Sequence, residues 1–174
     1  MLTGRRLPSI ASVALLILLV FLLLRADRGD DGEGGAGAEL PGSIAVEVTR
    51  VVDGDTVEAV VDGREEDIRY IGIDTPESVK PDSPVECFGP EAAGFNRRLV
   101  EGERVRLELG AEQRDPYGRL LAYVRLDGTF VNAELVERGY ATTLTIPPND
   151  RFAGLFDRLE REASAAGRGL WAEC

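Results

Sequence analysis

From residue 44 onward the chain alternates apolar and polar side chains. Ile44-Ala45-Val46-Glu47-Val48-Thr49-Arg50-Val51 and Ile68-Arg69-Tyr70-Ile71-Gly72-Ile73 change character at nearly every position, and Thr56 to Val61 is β-branched and apolar. This spacing predicts strands with one buried face. Asp53-Gly54 and Asp62-Gly63 punctuate them as tight turns, giving an antiparallel meander. The spacing then becomes helical: Phe88, Ala92, Phe95 and Leu99 fall on one face, Pro90 suits a first turn, and Gly102 is a stop. Val105-Arg106-Leu107-Glu108-Leu109 and Leu120 to Leu126 add two strands, and Val131 to Arg138 is a short helix stopped by Gly139. A last helix is expected after Asn149 or Asp150 as N-cap, burying Phe152, Leu155, Phe156 and Leu159 and ending near Gly167. A helix between the third and fourth of five strands is the pattern of a mainly β (α+β) domain, a five-stranded OB-fold barrel with about three helices.

Before residue 44 the pattern is different. Arg5 and Arg6 precede an apolar run from Leu7 to Leu24, followed by a Gly- and Asp-rich stretch with nothing to bury. The expected organisation is a signal anchor or signal peptide over 1–25, a flexible linker over 26–43 and a globular domain over 44–174. The run is somewhat short for a span of about 20 residues but longer than an ordinary signal core. The small-residue site Ala36-Gly37-Ala38 lies well downstream of it, which favours retention as an anchor. Export is expected in either case: a membrane-anchored extracytoplasmic domain, or a secreted one if the signal is cleaved.

Composition narrows the chemistry. The chain has 174 residues, no histidine, two cysteines and a net charge of −11. Without an imidazole there is no Ser-His-Asp or Cys-His nucleophile and no HExxH zinc site. Two cysteines cannot build a four-cysteine metal site. Cys87 and Cys174 are an even pair that outside the cytoplasm would close a loop of about 87 residues, worth about 4 kcal/mol in the chain-entropy model. The alternative is two separate buried thiols; the export signal favours the bridge. The first 38 residues carry four basic and four acidic side chains, so the whole charge of −11 sits on the remainder. An anionic partner would have to be held locally, not by a broad basic face.

Polar groups able to do chemistry gather in two segments. Asp55 is expected at the start of the second strand and Asp74 at the end of the third, neighbouring ends in an antiparallel pair. Adjacent carboxylates repel unless a cation binds them, and oxygen ligands favour a hard ion, Ca2+ before Mg2+. Asp53 reads as a plain turn residue. This is no EF-hand loop, because Val57 stands at the third ligand position and Glu58 where glycine is required. The second segment, Asp115-Pro116-Tyr117-Gly118-Arg119, reads equally as a surface hairpin or as part of a site.

Taken together, these stretches resemble the thermonuclease family, also called staphylococcal nuclease-like domains. The matching residues are Val52-Asp53-Gly54-Asp55-Thr56-Val57, Ile68-Arg69 with Ile73-Asp74-Thr75-Pro76-Glu77, Phe88-Gly89-Pro90-Glu91-Ala92, Asp115-Pro116-Tyr117-Gly118-Arg119, and Val131-Asn132 with Gly139-Tyr140-Ala141. The resemblance spans about residues 44 to 171. It implies a Ca2+-dependent phosphodiesterase that hydrolyses DNA and/or RNA by water attack and leaves 3′-phosphorylated products. It also implies roles by position: Asp55, Asp74 and the Thr75 carbonyl for calcium, and Glu77 to position or deprotonate the water. Arg69 and Arg119 would hold the phosphate, and Tyr117 would contact it. Two departures stand out. Pro116 replaces a lysine of the family's best-known member, and Leu144-Thr145-Ile146 occupies the place of its two tyrosines. The expected partners are nucleic acid as substrate and the membrane if the N-terminal segment is uncleaved; the domain is expected to be a monomer. Two other classes compete, a non-cutting OB-fold nucleic-acid-binding module and a structural calcium module of the envelope.

Overall fold

The computed structural model describes residues 42–79 and 84–174. The apolar N-terminal segment and nearly all of the expected linker lie outside these residues. Among the described residues no helix is long and apolar enough to cross a membrane.

Strands β1 (Ser43–Val51), β2 (Thr56–Val61), β3 (Arg64–Tyr70), β5 (Arg104–Arg114) and β6 (Leu120–Leu126) form the barrel, in the order β3-β2-β1-β5-β6. A parallel pairing of β3 with β6, Ile68 opposite Leu120 and Tyr70 opposite Ala122, closes it. Closure leaves no free edge among these strands. The expected five-stranded barrel is therefore present.

Two irregularities let so few strands close. The register of β1 against β2 shifts between Val48 and Arg50, so the second half of β1 pairs with β2 while Ser43–Glu47 pairs with β5. A bulge of this kind bends a strand and increases its twist. The second shift lies in β5 between Leu109 and Arg114. Asn149 fills it: its Oδ1 accepts from the Glu112 N–H at 3.0 Å and its Nδ2 donates to the Glu112 carbonyl at 2.8 Å. A Cβ on Gly110 would lie 2.6 Å from that amide. The expected N-cap, Asn149 or Asp150, is not the observed one: the Asn149 side chain is committed to the bulge, and the helix begins at Ala153 with Phe152 as the preceding residue.

The third strand also departs from expectation. It starts earlier, at Arg64, after a turn in which Asp62 and Gly63 both have positive φ (50° and 75°). It ends at Tyr70, and Gly72 (φ 82°) begins a separate strand β4 (Gly72–Asp74), paired with the short strand Thr142–Leu144. A side chain at Gly72 would meet the Phe156 ring at 2.5 Å, so this corner admits glycine alone. The buried carbonyl of Ile71 is satisfied by Asn132 Nδ2 at 2.9 Å, and Asn132 Oδ1 accepts from the Val124 N–H at 2.8 Å. Asn132 is fully buried. Asn132→Ala strands both backbone groups away from water, each at about 1–3 kcal/mol. A drop in unfolding free energy of about 2–5 kcal/mol is expected from urea titration; a loss below about 1 kcal/mol would show that water replaces the amide.

The helices are α1 (Gly89–Val100), α2 (Val131–Glu137), α3 (Ala153–Ala165) and a terminal turn α4 (Leu170–Glu173). α1 buries Gly89, Ala92, Ala93, Asn96 and Val100 most deeply; of the predicted stripe Ala92 is buried, while Phe88, Phe95 and Leu99 are half-buried beside it. Small alanines let the helix approach the barrel, while Phe88 and Phe95 stack on Tyr140 at 5.3 and 4.3 Å. Asn96 is buried because it has partners: the Tyr70 hydroxyl donates to its Oδ1 at 3.2 Å, and its Nδ2 donates to the Asp53 carbonyl at 3.3 Å. On α3, Phe156 and Leu159 are buried as expected, with Phe152 and Leu155 partly so. Cys87 and Cys174 are bonded, with their Cα atoms 5.9 Å apart.

Candidate active site

Asp55 is the last residue before β2, and its side chain is 1% exposed. Burial of a carboxylate costs several kcal/mol unless it is fully bonded. Here Oδ2 accepts from the Thr75 N–H at 2.7 Å and the Thr75 hydroxyl at 3.1 Å, and Oδ1 accepts from the Thr56 hydroxyl at 3.2 Å and pairs with Arg69. Gly54 makes room: a Cβ there would lie 2.6–2.7 Å from the Thr75 side chain.

Arg69 stands on β3 opposite Thr56, the residue after Asp55. One guanidinium nitrogen reaches Asp55; the other donates to Asp74 Oδ1 at 2.6 Å and lies 3.3 Å from the Ile73 carbonyl. Asp55 and Asp74 are thus brought together, though not as the ends of one antiparallel pair. The corner at Ile71-Gly72 swings Asp74 and Thr75 back across the start of β2.

Glu77 follows the Thr75-Pro76 corner, and its Oε1 accepts from the N–H groups of Ser78 and Val79, both at 3.0 Å. It lines a cleft shared with Asp53, Tyr117 and Arg119. Arg119 also lines a neighbouring, more apolar cleft with Arg69, Leu144 and Ile146. Asp115 builds the turn that presents Arg119: its Oδ1 accepts from the N–H groups of Tyr117 and Arg119 at 3.0 Å, and its Oδ2 accepts from Arg119 Nε at 2.7 Å. Tyr117 is 85% exposed, with the Arg119 guanidinium 5.5 Å from its ring centroid. The Asp115-Arg119 segment is therefore part of the site and not a remote hairpin.

Asp53, expected to be a simple turn residue, belongs to this site. Its Oδ1 accepts from the Asp55 N–H at 3.1 Å and it faces the cleft of Glu77 and Arg119. Burial pushes its carboxyl pKa up, Arg69 opposes that, and the charge of Glu77 adds to it. The Asp-Gly-Asp spacing was the available signal. Nothing in the sequence pattern singled out Asn96, and Asp115 was marked only as part of its turn, because the roles of both depend on what they meet.

The donor set fits a hard cation. One guanidinium touches both Asp55 and Asp74, so a single cation can serve both carboxylates. Thr75 fixes Oδ2 of Asp55, which aims Oδ1 at that cation. Among the described residues no group of three or more acidic or cysteine side chains forms a full cage. An ion held by two carboxylates and a carbonyl would keep water ligands, as oxygen-preferring dications do.

A closed OB barrel with two carboxylates and two arginines gathered on one rim defines the class of domain: a small OB-fold barrel whose charged side chains cluster at one end. The chain belongs to the staphylococcal nuclease homologue family, whose model matches residues 67–173. It is 42% identical over 124 residues to the thermonuclease of Staphylococcus intermedius, covering 71% of this chain and 74% of that one. It is 36% identical over 137 residues to the thermonuclease of Staphylococcus hyicus, covering 79% and 81%. Endonuclease YncB of Bacillus subtilis (strain 168) is 36% identical over 132 residues, covering 75% of this chain and 63% of the relative.

Leu144 (39% exposed) and Ile146 (59% exposed) stand at the mouth of the cleft that Arg69 and Arg119 share. Neither offers an aromatic face, and stacking is worth about 1–3 kcal/mol per base. Leu144→Tyr is expected to lower KM for single-stranded DNA about fivefold or more with kcat little changed. An unchanged KM would remove stacking as an explanation.

Proposed function

We propose that this protein is an exported, Ca2+-dependent phosphodiesterase that hydrolyses DNA and/or RNA and leaves 3′-phosphorylated ends. At the coarser level it is a hydrolase of the nuclease class, as its family membership establishes. The observation that carries the finer reading is the sharing of Arg69 by Asp55 and Asp74, on the same rim as Glu77 and Arg119.

Hydrolysis at phosphorus forms a bond to water oxygen and breaks the bond to the 5′ oxygen, with negative charge growing on the equatorial oxygens. Glu77 orients the water and takes its proton; the departing 5′ oxygen is protonated from solvent. Arg69 and Arg119 line one cleft, where their guanidiniums would face the same phosphate, with Arg119 held by Asp115. Arginine suits this role because its fork takes two oxygens and cannot deprotonate. Tyr117 extends the same surface toward the phosphate. Asp55, Asp74 and the Thr75 carbonyl would hold Ca2+, which when bound polarises the phosphoryl oxygens as a Lewis acid.

Export is supported by the apolar segment at 1–25 and by the Cys87–Cys174 bridge, a bond that persists in oxidising compartments. N-terminal sequencing of the exported protein distinguishes a retained anchor from a cleaved signal.

The deciding experiment is plasmid nicking and oligonucleotide release, with Ca2+ and with EGTA. Cleavage in Ca2+ that EGTA abolishes is the expected result. Binding without cleavage would make the domain a nucleic-acid-binding module, and neither binding nor cleavage would leave a structural calcium domain.

A further inference from the structure

The segment at Glu86 is bonded directly to the Glu77 backbone. The Glu77 N–H donates to Glu86 Oε2 at 3.0 Å, and the Glu86 N–H donates to the Glu77 carbonyl at 2.8 Å. The two bonds hold the peptides on either side of the Glu77 Cα. Gly89 closes on the same place: a Cβ there would collide with the Glu77 carbonyl and lie 3.0 Å from that of Pro76. The Gly89 N–H in turn donates to the Glu86 carbonyl at 3.1 Å.

This segment is itself held from behind. Cys87 is bonded to Cys174, and Phe88 stacks on Tyr140. The turn that carries Cys174 is docked by the Leu170 N–H, which donates to the Gly139 carbonyl at 2.9 Å. Gly139 and Gly169 lie in direct contact, with no room for a Cβ on either. A chain of short-range contacts therefore runs from the C-terminus through Cys87 and Glu86 to the backbone of Glu77.

We infer that Glu86 is a positioning residue for Glu77, and that the Cys87–Cys174 bridge holds Glu86 in that role. The inference rests on the reading that Glu77 handles the attacking water. A proton acceptor misplaced by about 1 Å can cost about 10²-fold in rate, so a side chain that fixes its peptide acts on kcat. Glu86 is exposed and makes no claim on the core, and its carboxylate oxygen is needed only as an acceptor.

The test is a cycle in the full chain: Glu86→Ala and Glu86→Gln, each alone and combined with Glu77→Gln, with kcat and KM on a single-stranded oligonucleotide and Tm for each. Glu86→Ala should lower kcat about tenfold and leave KM within about twofold. Glu86→Gln should stay within about twofold of the parent, because the amide oxygen still accepts the Glu77 N–H. Combined with Glu77→Gln, the alanine change should cause no further loss, since both act through one group. An undiminished loss in that background, or an equal loss in Glu86→Gln, overturns the inference while leaving the role of Glu77 standing. If Glu77→Gln alone leaves kcat unchanged, the role of Glu77 fails and the inference with it. Should Glu86→Ala not fold, Cys174→Ser is the second probe: kcat falls in the parent and is unaffected in Glu77→Gln if the bridge acts through Glu86.

Discussion

Arg119→Ala is expected to lower kcat by about 10³-fold or more and to leave the fold intact. A guanidinium aimed at charge that develops in the transition state is worth about 10²- to 10⁵-fold in comparable sites. Its side chain is 30% exposed, so its ion pair with Asp115 adds less than about 1 kcal/mol to stability. After the substitution Asp115 keeps the two backbone donors of its turn, from Tyr117 and from residue 119 itself. Lysine at 119 should recover only a small part of the rate, because a point charge cannot replace the fork that takes two oxygens. Steady-state kinetics with matched Tm values check this. A fall of less than about tenfold would remove Arg119 from the transition state.

Asp55→Ala and Asp74→Ala are expected to be alike in activity and unlike in stability. Each removes one of the two carboxylates proposed for calcium, so each should reduce cleavage to near background at physiological Ca2+. Their burial differs sharply: the Asp55 side chain is 1% exposed and that of Asp74 54%. Loss of Asp55 leaves the buried Thr75 N–H without its acceptor and removes the buried one of Arg69's two carboxylate partners, Asp74 remaining, at a cost of about 2–4 kcal/mol. Loss of Asp74 removes a solvent-screened partner and should cost less than about 1 kcal/mol. Urea midpoints separate the two. Equal destabilisation would contradict the buried network drawn around Asp55, and full activity in either variant would contradict the assignment of calcium ligands.

Much of the site was legible because its residue types are constrained by chemistry. A chain without histidine must handle a phosphate with carboxylates, arginines and a cation, and those residues stand in two short segments around tight turns. Less legible were the residues whose work depends on distant partners. Asn96, Asn132 and Asn149 are buried, yet asparagine is ordinarily a surface or capping residue. Each is buried because a remote backbone group lacks a partner there: the Asp53 carbonyl, the Ile71 carbonyl at the corner, and the Glu112 peptide in the bulge. Asp115 was visible as a turn residue, but its hold on Arg119 was not.

The alternation along β1 and the β-branched, apolar run of β2 are local properties, since a strand with one buried face repeats every second residue and a β-branched run favours extended backbone wherever it finally packs. The barrel class, the helical segments and the chemical types at the site therefore belonged to the sequence alone. The corner at Ile71-Gly72 was different. Alternation runs straight through it, and only the Phe156 ring against Gly72 and the Asn132 amide on Ile71 break the strand there. That break carries Asp74 and Thr75 onto Asp55, and contacts between residues some sixty to ninety apart in the chain exist only once the barrel has closed.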